Sequence, residues 1–188
     1  MKKPKTKVKL DINYLPWQQD VFFGRTEKYI MIPKGRRPGG TRGAINAIVD
    51  WAIDGIRPIL WVDTVNGNID KYYDLYLLPV LKQIPSKHWT WSMQKRTLNI
   101  FDSVAHFRSA DIPENIEGFG YKKIILNEAG IILKNESLYN NTILPMMMDF
   151  SDSQLYALGV PKGIHKKDGN EHMFYTLCQR AGETGGQV

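Results

Sequence analysis

The chain has 188 residues, of which 43% are hydrophobic and 23% are charged, values that fit one globular domain and exclude wholesale disorder. No apolar run reaches the ~18–20 residues that a membrane span requires, and Cys178, the only cysteine, excludes an internal disulfide. The net charge of +6 is compatible with an anionic partner such as a nucleic acid or a nucleotide.

Predicted strands and helices alternate along the chain. Short apolar runs predict strands at 28–33, 59–62, 89–92, 98–101, 105–108, 124–126 and 154–158. Helices are predicted at 45–53, 70–83, 137–148 and 172–180, with interruptions at Pro79 and Pro145. Alternation of this kind favours a mainly parallel sheet covered on both faces, with ligands bound at the carboxyl edge of the strands.

The connection from the first strand to the first helix has the features of a phosphate-binding loop. It reads Lys34-Gly35-Arg36-Arg37-Pro38-Gly39-Gly40-Thr41, against a standard pattern of G-x-x-x-x-G-K-[ST]. Gly39 and Thr41 keep the standard spacing, whereas Lys34 replaces the first glycine and Gly40 replaces the usual lysine. Because a lysine is a flexible point charge, we expect Lys34 to reach the β- and γ-phosphates of ATP from the start of the loop.

Other side chains of this loop also suit a phosphate ligand. Arg36, Arg37 and Arg42 add cationic donors, and Thr41 is placed to bind Mg²⁺ at the start of the helix. A basic Gly/Pro turn that binds nothing would contain the same residues. The strand before the loop and the amphipathic helix after it favour phosphate binding.

The apolar run at 124–126 ends on Asn127 and Glu128. In nucleotide-hydrolysing sites such a strand ends in two acids, of which the first positions Mg²⁺ and its water and the second polarises the attacking water. Asn127 takes the place of the first acid and can accept a hydrogen bond from a metal-bound water, without a negative charge. Glu128 is therefore predicted to be the catalytic base.

Five segments occur in a characteristic order and cover roughly residues 14–181: PWQQ, KGRRPGGTRG, FRSADIPENIEGFGY, IILNEAG, and LGVPKG followed by NEHMFYTL. In order and spacing they resemble the ATPase domain of phage terminase large subunits. The resemblance implies an α/β fold of the P-loop NTPase type (ASCE, RecA-like), with a mainly parallel central sheet flanked by helices. It also implies ATP and Mg²⁺ as cofactors.

The resemblance assigns roles to particular residues. Gln18 would read the adenine edge, with Gln19 as the alternative if the register shifts by one. The phosphate cradle would comprise Lys34 and Gly39 to Thr41, and the acidic motif would comprise Asn127 and Glu128. Gly159-Val160-Pro161 would couple hydrolysis to movement.

Three positions depart from the family pattern. Asn127 replaces an aspartate, Gly159 and Val160 lack hydroxyl groups, and Glu117 stands where many relatives have an arginine that acts on a neighbouring subunit's nucleotide. Such an arginine can raise the rate by ~10³–10⁵ where it operates, so its absence predicts weak hydrolysis by the isolated domain or an arginine supplied elsewhere. Arg108 is the candidate substitute.

The domain organisation expected from these observations has three parts. Residues 1–13 form a solvated basic arm, 14–181 form the ATPase domain, and 182–188 form a frayed end, without the remainder of the lid or a nuclease domain. The implied partners are double-stranded viral DNA, the portal protein, the small terminase subunit and further copies in a ring, a pentamer, with no membrane. The implied location is the portal vertex of the procapsid in the host cytoplasm.

Two other classes of protein are weighed against a packaging motor. One is an ATP-binding switch or helicase-like module with little hydrolysis, which Asn127 and Glu117 favour. The other is a structural basic domain, which requires both halves of the nucleotide site to be accidental.

Overall fold

The computed structural model describes residues 8–35, 39–116 and 118–183. Its strands are, in chain order, β1 Tyr29–Pro33, β2 Ile59–Asp63, β3 Trp89–Ser92, β4 Thr97–Ile100, β5 Ser103–Ser109, β6 Lys123–Asn127 and β7 Gln154–Gly159. All belong to one sheet with the order β1-β7-β6-β2-β5-β4-β3. The predicted strands are confirmed to within one or two residues.

Five neighbouring strands run parallel, from β1 through β7, β6 and β2 to β5. The other two, β4 and β3, are antiparallel because the chain returns through short turns, which cannot join parallel strands. The parallel register pairs Pro33 with Gly159 and Asn127 with Leu158. The carboxyl ends of β1, β6 and β7 therefore meet at one edge of the sheet, as expected for a mainly parallel α/β fold.

Helices connect the parallel strands and cover both faces of the sheet. Their bounds are α1 Pro16–Gln19, α2 Gly40–Ile53, α3 Asn66–Tyr72, α4 Leu78–Leu81, α5 Ala129–Ile132, α6 Glu136–Leu138, α7 Leu144–Met146 and α8 Met173–Glu183. Short 3₁₀ turns lie at Ser86–His88 and Pro113–Asn115.

The two interrupting prolines are absorbed by π-helical turns, at Tyr73–Leu77 before α4 and at Tyr139–Ile143 before α7. At each junction a backbone N–H reaches five residues back, from Leu78 to Tyr73 and from Leu144 to Tyr139. A proline has no N–H to donate and clashes with the carbonyl of an ordinary helical turn. The predicted interruptions are thus confirmed, and each helix continues beyond its proline.

Side chains of β2 show how the sheet divides the core. Ile59 and Trp61 pack into one apolar cluster with helix α2, whereas Leu60 and Val62 pack into the other with helices α5 to α8. All four are buried, and each such burial stabilises the fold by about 1.5–3 kcal/mol. A strand that is apolar on both faces must lie in the middle of the sheet.

The start of the described chain differs from the expected solvated arm. Val8, Leu10 and Ile12 pack against the core cluster that contains helix α2, and the backbone N–H of Asp11 donates to Oε1 of Gln83 at 2.7 Å. These residues belong to the packed domain, so its boundary at residue 14 was placed too late. Within the described ranges, none of the helices combines the length and hydrophobicity needed to span a bilayer.

Candidate nucleotide site

The loop between β1 and α2 lies at the carboxyl edge of the sheet. Its first backbone N–H, on Lys34, donates to the carbonyl of Gly159 at 2.9 Å, which ties the loop to β7. Gly39, immediately before α2, has a φ of 77°, a left-handed conformation that favours glycine. The predicted phosphate ligands Arg36 and Arg37, with Pro38, lie outside the described residues, and Arg42 is exposed on the first turn of α2.

The Lys34 side chain lies across the start of α2, with 9% of its surface exposed. Its Nζ is 3.5 Å from Oγ1 of Thr41 and 3.4 Å from Oε1 of Glu128, residues that are 7 and 94 positions away. A Cβ atom on Gly40 would lie 3.1 Å from Cδ of Lys34. The absence of a side chain at Gly40 therefore leaves the path along which this lysine reaches the helix.

Asn127, at the end of β6, is fully buried and lies against the same helix. The hydroxyl of Thr41 donates to its Oδ1 at 3.0 Å. Because only β7 separates β6 from β1 in the sheet, the two segments predicted to form a nucleotide site are adjacent in space. Lys34, Thr41, Asn127 and Glu128 form one cluster.

Asp63 belongs to the same cluster and was not predicted. It ends β2, the neighbour of β6, and is fully buried. Nδ2 of Asn127 donates to its Oδ2 at 2.8 Å, and Nδ2 of Asn68 donates to its Oδ1 at 2.9 Å. The sequence showed a carboxylate at the end of an apolar strand, but not that β2 lies beside β6.

Glu128 follows β6 with φ 63° and ψ 43°, a left-handed conformation that costs a non-glycine residue roughly 1–2 kcal/mol. Tyr72 of α3 lies nearby. Burial first, and then the negative charges of Asp63 and Glu128, raise the pKa of its hydroxyl. Two carboxylates therefore give the cluster a negative potential, which the ammonium group of Lys34 offsets.

The donor set fits a magnesium ion bound largely through its ligand and water. The oxygens offered are the Thr41 hydroxyl, the Asn127 amide and the carboxylate of Glu128, and hard cations prefer oxygen. Among the described residues, no group of three or more acidic, histidine or cysteine side chains could enclose a metal. Mg²⁺ in phosphate-transferring sites keeps several waters and uses only one or two protein groups, so this set suffices.

The predicted adenine-reading residue, Gln18, bridges α1 and the phosphate loop. Its Oε1 accepts from the N–H of Leu15 at 2.9 Å, and its Nε2 donates to the carbonyl of Gly39 at 3.0 Å. Gln18 also lines a cleft of about 470 Å³ together with Arg42 and Asn46. Its neighbour Gln19 is exposed and does not line this cleft.

The proposed coupling segment, Gly159-Val160-Pro161, begins at the end of β7 and lies against α5. A Cβ atom on Gly159 would come within 2.6 Å of the backbone nitrogen of Gly130, and one on Gly130 within 2.2 Å of the Val160 carbonyl. Two glycines thus permit direct backbone contact between this segment and the helix that follows Glu128.

Arg108, the candidate arginine finger, is half-buried and faces its own sheet. Its Nη1 donates to the carbonyls of Lys95 and Phe107, both at 2.9 Å. Burial lowers the pKa of its guanidinium. The structure does not bring Arg108 into the cluster around Lys34, and Glu117 lies outside the described residues.

No protein-family model matches the sequence, and no curated protein is significantly similar to it. Solved structures, however, share its fold. The large terminase ATPase domain of Thermus phage P74-26 superposes with a TM-score of 0.70 at 15% identity, over 93% of this chain and 87% of that one. The HK97 bacteriophage large terminase superposes with a TM-score of 0.74 at 13% identity, over 94% of this chain and 39% of that one.

A third structure contains a bound nucleotide. It is the large terminase from a thermophilic bacteriophage in complex with ATP-γ-S, with a TM-score of 0.54 at 14% identity, covering 77% of this chain and 37% of that chain. The sheet of mostly parallel strands flanked by helices has the RecA-like P-loop fold. Within that class, the chain has the fold of phage large terminase ATPase domains.

Proposed function

We propose that this chain is the ATP-binding and ATP-hydrolysing domain of a phage terminase large subunit, which powers translocation of double-stranded viral DNA into the procapsid. The convergence of Lys34, Thr41 and Glu128 carries the proposal. The Thr41 hydroxyl and the Glu128 carboxylate, the latter 94 positions away in sequence, both lie within 3.5 Å of the lysine Nζ, at the sheet edge where parallel α/β folds bind ligands.

In this proposal, Lys34 binds the β- and γ-phosphate oxygens, while backbone N–H groups from Gly39 onward surround the phosphates at the start of α2. Thr41 and, through water, Asn127 hold Mg²⁺, which neutralises phosphate charge when bound. Glu128 orients the attacking water and accepts its proton.

The ion pair between Lys34 and Glu128 implies that nucleotide binding precedes activation of the base. Nζ of Lys34 lies 3.4 Å from Oε1 of Glu128, the carboxylate that is proposed to act as the base. Phosphate oxygens compete for the same ammonium group, and their binding releases the carboxylate toward water. Nucleotide binding would thus produce the active base.

The proposed nucleotide position includes the cleft of about 470 Å³ beside Gln18. Both ends of the Gln18 amide are engaged by backbone groups in this structure. To read an adenine edge, the amide must exchange at least one of those hydrogen bonds for the base. Gln19 remains the alternative reader, and Arg42 is a further phosphate contact.

An ATP-binding switch with little hydrolysis is the alternative function. The buried amide of Asn127 favours it, because an amide brings no negative charge to the metal.

We also propose the terminase partners for this chain: double-stranded DNA, the portal protein, the small terminase subunit and further copies in a ring, a pentamer, at the portal vertex of the procapsid in the host cytoplasm. Val160 and Pro161 would couple hydrolysis to movement in that assembly. The arginine that acts on the nucleotide would come from a neighbouring subunit.

Binding and turnover of Mg·ATP by the purified chain test the proposal. We expect Lys34→Ala to weaken nucleotide binding about tenfold or more, because it removes a charge-assisted contact with phosphate. Glu128→Gln should retain binding and lower hydrolysis by about 10²–10⁴-fold. Lys82→Ala and Glu114→Gln, which make the same changes at exposed positions, are the matched controls.

Each outcome separates the candidate functions. Unchanged binding by Lys34→Ala would contradict the assignment of the loop as a phosphate-binding loop. Full turnover by Glu128→Gln would exclude Glu128 as the base. Tight binding by the wild-type chain without turnover, both alone and with DNA, would favour the switch.

A further inference from the structure

Asp63 and Asn127 end neighbouring parallel strands and share a hydrogen bond. The bond joins Nδ2 of Asn127 to Oδ2 of Asp63 at 2.8 Å, and both residues are fully buried. Burying a carboxylate completely destabilises the fold unless hydrogen bonds compensate for the lost hydration. Its burial beside the proposed Mg²⁺ position needs an explanation.

The Asp63 carboxylate is surrounded by donors. Besides Asn127, the backbone N–H of Thr64 donates to Oδ1 at 2.7 Å and Nδ2 of Asn68 donates to it at 2.9 Å. Each oxygen is therefore held in place. The carboxylate is a fixed feature of the sheet edge.

The carboxylate determines how the Asn127 amide is oriented. An ionised carboxylate can only accept hydrogen bonds, so the NH₂ of Asn127 must face Asp63. The amide oxygen then faces the opposite way, toward the hydroxyl of Thr41, which donates to it at 3.0 Å. With the amide reversed, two acceptors would meet at Asp63 and the NH₂ would face the metal position.

We propose that Asp63 is a positioning residue of the nucleotide site, and that it supplies from β2 the negative charge that Asn127 lacks on β6. The inference rests on the proposed function, because it concerns the same Mg²⁺ site. Asp63 fixes the Asn127 oxygen toward the metal-bound water, and its charge acts on the cation through the amide.

An exchange of the two residues tests this directly. We would measure the dissociation constant of ATP-γ-S in Mg²⁺ and in EDTA for each variant, and take the ratio as the metal contribution. Asp63→Asn should reduce that ratio by roughly 10–100-fold, the usual effect of losing a group that supports a metal ligand. The double variant Asp63→Asn with Asn127→Asp should recover it, because the carboxylate returns to β6.

Two further variants control for stability and for charge. Asn127→Asp alone places two carboxylates in contact, so it should lower the melting temperature, and the double variant should restore it. Asp70→Asn removes a carboxylate that pairs with Arg96 and touches neither residue; its ratio should equal that of the wild type. If Asp63→Asn does not fold, the double variant alone decides the question.

The outcomes distinguish this inference from the proposed function. Absence of nucleotide binding by the wild type, with or without Mg²⁺, would overturn the proposed function and this inference with it. Metal-dependent binding that persists in Asp63→Asn would overturn the inference alone. So would a folded double variant that has lost the metal contribution, or wild-type binding that is equal in Mg²⁺ and EDTA.

Discussion

Cδ of Lys34 lies 3.1 Å from the position that a Cβ atom on Gly40 would occupy. The two residues stand at the first-glycine and lysine positions of the standard loop pattern, each in the other's place. The lysine now crosses the space that a lysine at 40 would fill. The lysine at position 34 and the absence of a side chain at position 40 therefore depend on each other.

Reversing both positions should therefore preserve nucleotide binding. The double variant Lys34→Gly with Gly40→Lys recreates the standard pattern, so we expect ATP-γ-S affinity within about threefold of wild type. Lys34→Gly alone should lose about tenfold or more, because a charged phosphate contact disappears. Isothermal titration of the three proteins measures this, with Lys95→Gly as the control for losing a lysine from a turn.

Gly40→Lys alone completes the set. Its side chain must share space with Lys34 and approach Leu158, whose Cδ2 lies 3.5 Å from the added Cβ. We expect it to be less stable than the double variant by about 1–3 kcal/mol. Equal stability of these two proteins in chemical denaturation would show that the positions are independent.

Gly43 and Gln18 give a second steric prediction. A Cβ atom on Gly43 would lie 2.6 Å from Nε2 of Gln18. Gly43→Ala should displace the Gln18 amide from Leu15 and Gly39 and destabilise the fold by about 1–3 kcal/mol, although alanine normally stabilises a helix.

Denaturant unfolding of Gly43→Ala, Gln18→Ala and the double variant measures the coupling between the two sites. Contacting residues usually couple by about 0.5–3 kcal/mol, and the double variant should be more stable than the sum of the single effects predicts. Additive effects would contradict the contact. Gly55→Ala is unsuitable as a control, because Gly55 has a φ of 85°; Gly67→Ala, with open space around its Cβ position, is suitable.

The contact between α5 and the segment after β7 can be tested at Gly130. Gly130→Ala brings a methyl group to within 2.2 Å of the Val160 carbonyl, so the backbone must move. We expect a destabilisation of about 1–3 kcal/mol and, under the proposed coupling role, a larger loss of hydrolysis than of nucleotide binding. Gly182→Ala, with nothing close to its Cβ position, is the control.

Gly130→Ala therefore requires both readouts. Equal losses of binding and hydrolysis would contradict a specific role in coupling, and unchanged stability would contradict the contact itself.

The sequence predicted the strands because they depend on local pattern, whereas the reach of Lys34 to the phosphates of ATP stays a prediction. Apolar runs identify buried strands, and the loop's spacing identified the displaced lysine. Asp63 was missed because its role depends on strand order: only the pairing of β2 with β6 places it beside Asn127. Side-chain partners across neighbouring strands cannot be read from a single run of residues.

The error at the N-terminus has a different origin. Lysines dominate the first residues and suggested a solvated arm. Val8, Leu10 and Ile12 alternate with polar residues, however, and alternation of this kind indicates an extended segment with one buried side. The positive charge of the segment suggested solvent exposure, whereas the alternation indicated the partial burial of these three side chains that the structure shows.

His106 gives a prediction about pH that does not depend on the nucleotide site. Burial, and secondarily the charge of Arg108, lowers its pKa to about 4, whereas an unfolded histidine titrates near 6.5. The unfolded chain therefore binds more protons between these values, so this contribution to stability is complete above about pH 6.5 and is lost as the pH falls to about 4. Because the imidazole is only partly buried, solvent screening should reduce this loss to about 1–2 kcal/mol. Urea denaturation of wild type and His106→Gln across this range separates the effect of His106 from that of the carboxylates. The difference in free energy of unfolding between the two proteins should shrink as the pH falls, because only the wild type loses the histidine's contribution. Exposed His165→Gln is the control, and a constant difference for His106→Gln would show that His106 titrates alike in both states.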